Sequence, residues 1–78
     1  MLTGAQVRMA RAAVGWGVRD LAEKANVTPN TVSRIENGGD ALASTLDRIQ
    51  AALENAGVIF IDEDEEGPGV RLRKSRGN

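Results

Sequence analysis

The chain has 78 residues, 41% of them hydrophobic, and its 10 Lys and Arg against 11 Asp and Glu give a formal net charge of −1. A chain of this length forms one domain, and its hydrophobic core is close to the smallest that can stabilise a fold by itself. Cysteine and histidine are both absent, which excludes disulfides and leaves zinc sites and nucleophile–histidine catalysis almost without side chains. We therefore expect no metal, no cofactor and no enzymatic activity. No apolar run approaches the ~20 residues that cross a bilayer and the N-terminus lacks a signal-peptide pattern, so the sequence predicts a soluble cytoplasmic protein without membrane contact.

The first predicted element is a helix over about residues 4–14. Thr3 is a suitable N-cap for it, because a threonine hydroxyl can accept a hydrogen bond from an unpaired N–H of the first turn. The tripeptide Gly15-Trp16-Gly17 ends this helix. We expect Trp16, the only tryptophan, to pack between this helix and the next one.

Residues 17–38, GVRDLAEKANVTPNTVSRIENG, predict two short helices around a tight turn, which is the outline of a helix-turn-helix. Asn26 ends the first of them, since asparagine tolerates the left-handed backbone found at helix ends. Thr28 caps the second helix. Pro29 at its first position sacrifices no hydrogen bond, because the N–H of that position would be unpaired anyway.

The outer face of this second helix carries small or polar side chains and one arginine, namely Pro29, Asn30, Ser33 and Arg34. Amide and hydroxyl groups can bind base edges or phosphates in a major groove, and arginine can pair with guanine through two hydrogen bonds. An ordinary amphipathic helix with a solvated polar side has the same spacing. The pattern alone therefore leaves both interpretations open.

A fourth helix follows, with Asp40 or Ser44 as its predicted cap and the segment 55–57 as its end. Its apolar stripe consists of Leu42, Leu46, Ile49, Ala52 and Leu53. We expect the core of the four helices to contain Leu2, Val7, Leu21, Val32, Ile35, Leu46, Ile49 and Leu53.

After this helix the spacing of the hydrophobic residues changes from helical to strand-like. Residues 58–61 and 70–73 predict two strands of an antiparallel hairpin. Because an isolated hairpin is marginal in water, we expect it to dock on the helices and to pair with its copy in a second subunit. The predicted dimerisation residues are Val58, Ile59, Phe60, Ile61, Val70 and Leu72. The alternative is a hairpin that folds only against its own fourth helix.

The loop of this hairpin is acidic from Asp62 to Glu66. Its spacing lacks the alternating ligands of a calcium loop, so we interpret it as a solvated loop partly neutralised by Arg71, Arg73 and Lys74. Residues 1–56 carry six cationic and six anionic side chains. A net charge of zero in this part predicts only modest non-specific attraction to phosphates.

The segment D-L-A-x-x-A-x-V-T-x-x-T-V-S-x-I-E-N-G over residues 20–38 resembles the Xre family of phage-repressor and Cro-like helix-turn-helix regulators, and the likeness extends from residue 3 to about 55. It implies a four-helix, lambda-repressor-like helix-turn-helix domain over residues 1–56. The C-terminal β-hairpin then occupies residues 57–74 and a flexible tail residues 75–78. The expected fold class is all-α in the domain and small α+β overall.

The resemblance also implies roles for single residues. Arg11 and Glu36 match a partly buried ion pair of this family. The pair holds the recognition helix, which is the second helix of the helix-turn-helix, against the first helix of the domain. The glutamine that commonly opens the second helix is Val18 here, so Arg19 is expected to bind phosphate in its place. The complete expected DNA-binding set is Arg19, Thr28, Pro29, Asn30, Thr31, Ser33, Arg34 and Asn37, of which Thr28, Thr31 and Asn37 match positions that hold phosphates or the following loop.

These observations predict a sequence-specific transcriptional regulator that binds double-stranded operator DNA as a homodimer. One alternative is the antitoxin of a toxin–antitoxin pair, with the strand 58–61 as the edge that binds a toxin. Another is a protein-interaction adaptor that kept the fold and lost DNA binding, in line with its neutral helical part.

Overall fold

The computed structural model describes residues 2–62 and 64–74. Four helices are followed by a two-stranded antiparallel sheet: α1 (Gly4–Val14), α2 (Val18–Ala25), α3 (Pro29–Glu36), α4 (Ala43–Asn55), β1 (Val58–Ile61) and β2 (Gly69–Leu72). This order confirms the predicted fold class. Among the described helices, none is long and apolar enough to span a membrane. The predicted tail, residues 75–78, lies outside the described residues.

The helix-turn-helix has the predicted caps. Thr28 caps α3, with Pro29 at the first helical position. Asn26 adopts the left-handed conformation at the end of α2, with φ of 57°. The N–H of Val27 then donates to the carbonyl of Ala22 at 2.9 Å, which completes a Schellman-type ending of α2. The turn between the two helices is therefore set by local backbone hydrogen bonds.

The start of α4 differs from the prediction. Its N-cap is Leu42, and no side chain caps it. Neither Asp40 nor Ser44 serves as the cap, because Asp40 lies two residues too early and Ser44 already lies inside the first turn. Leu42 is 74% exposed and does not belong to the apolar stripe. The buried face of α4 begins instead at Thr45.

The core forms where the four helices meet. Six of the eight predicted core residues are buried, namely Val7, Leu21, Val32, Ile35, Ile49 and Leu53, whereas Leu2 and Leu46 are partly buried and pack against them. The strand residue Val58 also belongs to this core and is only 1% exposed. Its side chain is therefore enclosed in its own protomer, and its part in the predicted dimerisation stays a prediction that can involve only its backbone.

The hairpin docks on the helices of its own chain. Its register pairs Val58 with Leu72 and Phe60 with Val70, and directly paired residues share one face of the sheet. Phe60 and Val70 on this face pack against the helical core. β2 packs on α1 while β1 contacts both α1 and α4. The hairpin therefore rests on two helices, not on α4 alone.

The second strand is shifted by one residue relative to the prediction. It spans Gly69–Leu72, and Arg73 follows the strand. The backbone N–H of Arg73 still donates to the carbonyl of Gly57 at 2.6 Å. The pairing of the two strands thus continues one step beyond β1 at this end.

Candidate nucleic-acid interface

Helix α3 presents one face to the core and one to solvent. Val32 and Ile35 are buried, whereas Pro29, Asn30 and Arg34 are exposed. Ser33 and Thr31 are partly buried between the two faces. The outer face of α3 is therefore accessible to a ligand along its whole length.

The start of α3 is organised by two threonines. The Thr31 N–H donates to the Thr28 hydroxyl at 3.2 Å, and the two hydroxyl oxygens lie 2.9 Å apart. Since one hydroxyl donates to the other, one hydroxyl hydrogen of the pair stays free to donate to a phosphate. Within the described residues the Asn30 N–H also has no hydrogen-bond acceptor. The exposed end of α3 thus offers donors to an anion.

The other end of α3 is held by an ion pair with α1. Arg11 Nε lies 2.8 Å from Glu36 Oε2, and a second guanidinium nitrogen lies 3.0 Å from Oε1. The third nitrogen of Arg11 donates to the carbonyl of Trp16 at 3.1 Å. The Glu36 side chain is only 7% exposed and that of Arg11 22%. Such two-point geometry fixes both position and orientation of the end of α3.

This pair stabilises the charged form of the arginine. The hydrogen bonds to Glu36 raise the pKa of Arg11, the negative charge of Glu36 acts in the same direction, and partial burial opposes both. Arg11 is therefore charged throughout the physiological pH range. Arg8, one turn earlier on α1, donates to the backbone carbonyl of Glu36. Two arginines of α1 thus bind one residue of α3.

The backbones of α1 and α3 approach each other at Gly4. A Cβ atom at this position would overlap the carbonyl oxygen of Ile35 and would lie 3.1 Å from the Glu36 Cα. A residue with a side chain would therefore push the start of α1 away from the end of α3. This contact and the Arg11 ion pair together fix α3 relative to α1.

Arg34 is supported from the loop that follows α3. The N–H of Gly39 donates to the carbonyl of Arg34 at 2.8 Å. A Cβ on Gly39 would come within 2.5 Å of the Arg34 Cγ and 2.9 Å of its carbonyl oxygen. The aliphatic stem of Arg34 thus packs against the Gly39 backbone, while the residue as a whole stays exposed.

The start of α2 borders the same surface. Gly17 is its N-cap, and the Asp20 carboxylate accepts the Gly17 N–H at 2.8 Å. Val18 packs against the core, so this helix position has a structural role here. Arg19 is exposed and, with Pro29 and Glu23, lines a groove of about 380 Å³ between α2 and α3.

Two of the expected DNA-binding residues therefore meet in this groove, Arg19 from α2 and Pro29 from α3. Asn37 lies at the opposite end of α3, where it is exposed. The predicted dimerisation residues lie on the separate hairpin. Among the described residues, no group of three or more carboxylates converges as a metal site.

Three residues that shape this surface were not predicted. Arg8 is three residues before Arg11, a spacing that places both on one side of α1. Gly4 at the first position of a helix is a signal for close backbone approach, although it does not identify the partner. Glu23 places a negative charge beside Pro29, and only the turn between α2 and α3 brings these two residues together.

A comparison with models of protein families agrees with this geometry. None of the curated proteins matches the sequence. A family model described as a helix-turn-helix domain matches residues 3–57, which include all four helices. This match covers more than half of the chain, and the chain therefore belongs to the helix-turn-helix domain family.

Proposed function

We propose that this protein is a sequence-specific transcriptional regulator that binds operator DNA as a homodimer, with α3 of each subunit in a major groove. The observation that carries this proposal is the exposed face of Pro29, Asn30 and Arg34 on a helix held rigidly at its other end by Arg11. Rigid placement matters because base recognition depends on the exact approach of a few side chains. Membership of the helix-turn-helix family supports the same function.

The side chains divide into base-reading and phosphate-binding groups. The Asn30 amide carries a donor and an acceptor that match an adenine edge, and the Arg34 guanidinium carries the two donors that match a guanine edge. Pro29 can offer only apolar contact, for instance with a thymine methyl group. Ser33 is a further base-edge contact of this face. The phosphate-binding groups are assigned to the ends of α2 and α3, namely Arg19, Thr28, Thr31 and Asn37.

The charge distribution favours specific over non-specific binding. Of the six cationic residues in the helical part, Arg8 and Arg11 are engaged by Glu36. Glu23 adds a negative charge close to the phosphate-binding groups. Weak attraction to phosphates makes affinity depend on base contacts and on two half-sites bound at once.

Selection from a library of randomised duplex DNA, followed by salt titration on the selected site, tests this proposal. We expect a palindrome whose half-sites are about 10 bp apart, because a twofold dimer reads two successive major grooves on one side of the duplex. Arg48→Ala is a matched control for Arg34→Ala, since both arginines are exposed but Arg48 lies on α4. The control should bind the selected site as the parent does.

The same experiment can also refute the proposed function. If no sequence is enriched and all binding disappears as salt rises, the proposed function is wrong. The near-neutral helical part would then favour an adaptor that binds protein through the same fold.

A further inference from the structure

We propose that a second copy of this chain adds to the outer edge of β1, so that two hairpins form one four-stranded antiparallel sheet across a twofold axis. In this arrangement the acidic turn of each hairpin lies beside Arg73 of the other copy. The inference deepens the homodimer of the proposed function and rests on it for its biological role. It does not depend on DNA binding.

The backbone of β1 has an edge free for pairing. In an antiparallel ladder, alternate residues direct both their N–H and C=O groups to the same side. The bond from Arg73 N–H to Gly57 C=O sets this alternation, so Ile59 and Ile61 bond to β2 while Val58 and Phe60 point away from it. Within the described residues, no backbone group outside the hairpin pairs with Val58 or Phe60. An edge of this kind is a template for another strand.

The edge of β1 is better suited to a second copy than that of β2. Val58–Ile61 contains no charged residue, whereas β2 carries Arg71 and is followed by Arg73. Antiparallel pairing of two β2 strands centred on Arg71 would place two arginines directly opposite each other. Like charges in that position are destabilising, and exposed charges are a common device that blocks edge pairing.

The outward face of the hairpin supplies apolar contact for this pairing. Ile59 is 37% exposed and Ile61 partly exposed, both on the face directed away from the helices. The free groups of Val58 and Phe60 allow a twofold axis at Ile59 or at Phe60. In both registers Ile59 lies opposite an isoleucine of the second copy, either the partner's Ile59 or the partner's Ile61.

Charge sets the direction of pairing. The register places Ile61 opposite Gly69, so the described turn acids Asp62, Asp64, Glu65 and Glu66 lie at one end of the hairpin. Arg73 lies at the other end, about 14 Å away at ~3.4 Å per residue. Within the described residues no ion pair joins these groups. The predicted partial neutralisation of the acidic loop by Arg71, Arg73 and Lys74 therefore does not take the form of a direct ion pair among these residues.

In an antiparallel dimer with a twofold axis, the acidic turn of each copy lies near the Arg73 end of the other copy. The contact between opposite charges therefore occurs twice in the dimer. Arg73 lines a groove of about 430 Å³ along the outer edge of β1, together with Glu54, Asn55, Val58, Ile59 and Phe60. The turn of a second copy would enter at this end of the edge, with Asp62 directly following its β1. Each Arg73 thus meets an acidic turn that its own protomer cannot supply.

Sedimentation equilibrium of the full chain and two charge-reversal variants tests the inference. Asp62→Arg, Asp64→Arg and Glu65→Arg together make the turn basic, since three arginines then outnumber the two remaining glutamates. Arg73→Glu with Lys74→Glu makes the opposite end acidic. We expect each variant alone to raise the dimer dissociation constant about tenfold or more, because like charges then face each other at both ends of the interface. An equimolar mixture of the two should form a heterodimer with an affinity close to that of the parent. Asp47→Arg with Arg48→Glu on α4 is the matched control and should dimerise normally.

Ile59→Lys provides a second test that does not depend on the turn. The side chain is partly exposed, so the variant should keep its helical circular dichroism and unfolding temperature but sediment as a monomer. A full chain that is monomeric, reversed variants that dimerise like the parent, or a mixture that fails to pair would each overturn the inference. Capture of a different small protein by a monomeric chain would also overturn it and would favour the toxin-binding alternative.

Failure of this inference is distinguishable from failure of the proposed function. A monomeric protein that still selects a single DNA half-site would refute only the sheet pairing. A dimer with the expected charge dependence that selects no DNA sequence would refute only the regulator.

Discussion

Gln6 of α1 donates its side-chain amide to the carbonyl oxygen of Ile61, the last residue of β1, at 2.9 Å. The same nitrogen donates to the carbonyl of Gly69 at 3.0 Å, and the Gln6 side-chain oxygen accepts the Thr3 N–H at 3.0 Å. Gln6 is 3% exposed, so these bonds are shielded from water. One side chain therefore caps the first helix and anchors the end of the hairpin beside it.

Replacement of Gln6 by alanine should destabilise the protein by about 2–3 kcal/mol, since three hydrogen bonds to shielded backbone groups are lost. Hydrogen exchange should show the loss first in the hairpin, because β1 and β2 meet α1 at this residue. Equilibrium unfolding in denaturant measures the total effect.

Gln6→Glu separates the two roles of this side chain. An ionised glutamate can still accept from the Thr3 N–H but cannot donate to the two strand carbonyls. We expect hairpin exchange as fast as in the alanine variant with the first turn of α1 still protected. Gln50→Ala is the matched control on α4, where the only described side-chain bond joins Gln50 to exposed Glu54. If the control loses as much stability as Gln6→Ala, the special role of Gln6 is refuted.

Gly4→Ala should destabilise the protein by about 1–3 kcal/mol, because the new methyl group overlaps the backbone of α3 and neither backbone can move freely. Thermal unfolding measures this loss. Gly69→Ala is its control, since a Cβ there meets no atom within 4 Å. Equal unfolding temperatures for the two variants would contradict the close approach of α1 and α3.

The helical part of this fold was predictable because its signals are local. Thr28, Pro29 and Asn26 determine the turn by their own backbone preferences, and these residues adopt the predicted conformations. The start of α4 was not predictable in the same way. Its cap is formed by the backbone of Leu42 without a side-chain partner, while two polar residues nearby resemble better caps.

Contacts between distant segments were harder to predict. The T-x-x-Q spacing of Thr3 and Gln6 indicates a capping box. It says nothing of the bond from Gln6 to a residue 55 positions later in the chain. For the candidate interface, the exposed side of α3 followed from helical spacing. The position of the Glu23 carboxylate beside Pro29 depends instead on how α2 packs against α3.

Arg11→Met should cost about 3 kcal/mol, because it leaves the nearly buried carboxylate of Glu36 without its partner. The double variant Arg11→Met with Glu36→Leu should recover a large part of this loss, since apolar groups of similar volume then meet each other. Chemical unfolding of the parent, both single variants and the double variant gives the coupling energy. Additive losses would show that the pair does not stabilise the fold.

The pH dependence of this pair follows from the raised pKa of Arg11. A cation with a raised pKa contributes its full stabilisation below its unfolded pKa and loses it only as the pH rises through the folded value, which for Arg11 lies above the already high ordinary pKa of arginine. The cost of Arg11→Met should therefore be the same at pH ~7 and ~10. Arg11→Lys should instead keep this stabilisation up to about pH 10.4, the ordinary lysine pKa, and lose it as the pH rises further through the folded pKa of the paired lysine. If the loss of stability caused by Arg11→Met were smaller at pH ~10 than at pH ~7, a raised pKa of Arg11 would be contradicted.

Glu23→Gln should strengthen DNA binding on every sequence, because it removes a negative charge from the groove that Arg19 and Pro29 share. We expect an increase of severalfold at low salt, with little effect at high salt, where exposed charges are screened. Electrophoretic or fluorescence titrations of selected and random duplexes measure it. Asp47→Asn on the exposed side of α4 is the control, and an equal gain there would make the effect one of net charge only.

Arg34→Ala should weaken binding to the selected site by about 1–3 kcal/mol and relax the preference at one base pair. Gly39→Ala tests whether this reading depends on how the arginine is positioned, since the added methyl group displaces the Arg34 stem without removing its charge. We expect Gly39→Ala to relax the preference at the same base pair while the salt dependence of binding stays that of the parent. Unchanged base preference in Gly39→Ala would show that Arg34 does not need its contact with the following loop. Equal losses on all sequences for Arg34→Ala would make Arg34 a phosphate contact, and the base-reading role would then rest on Asn30 and Ser33.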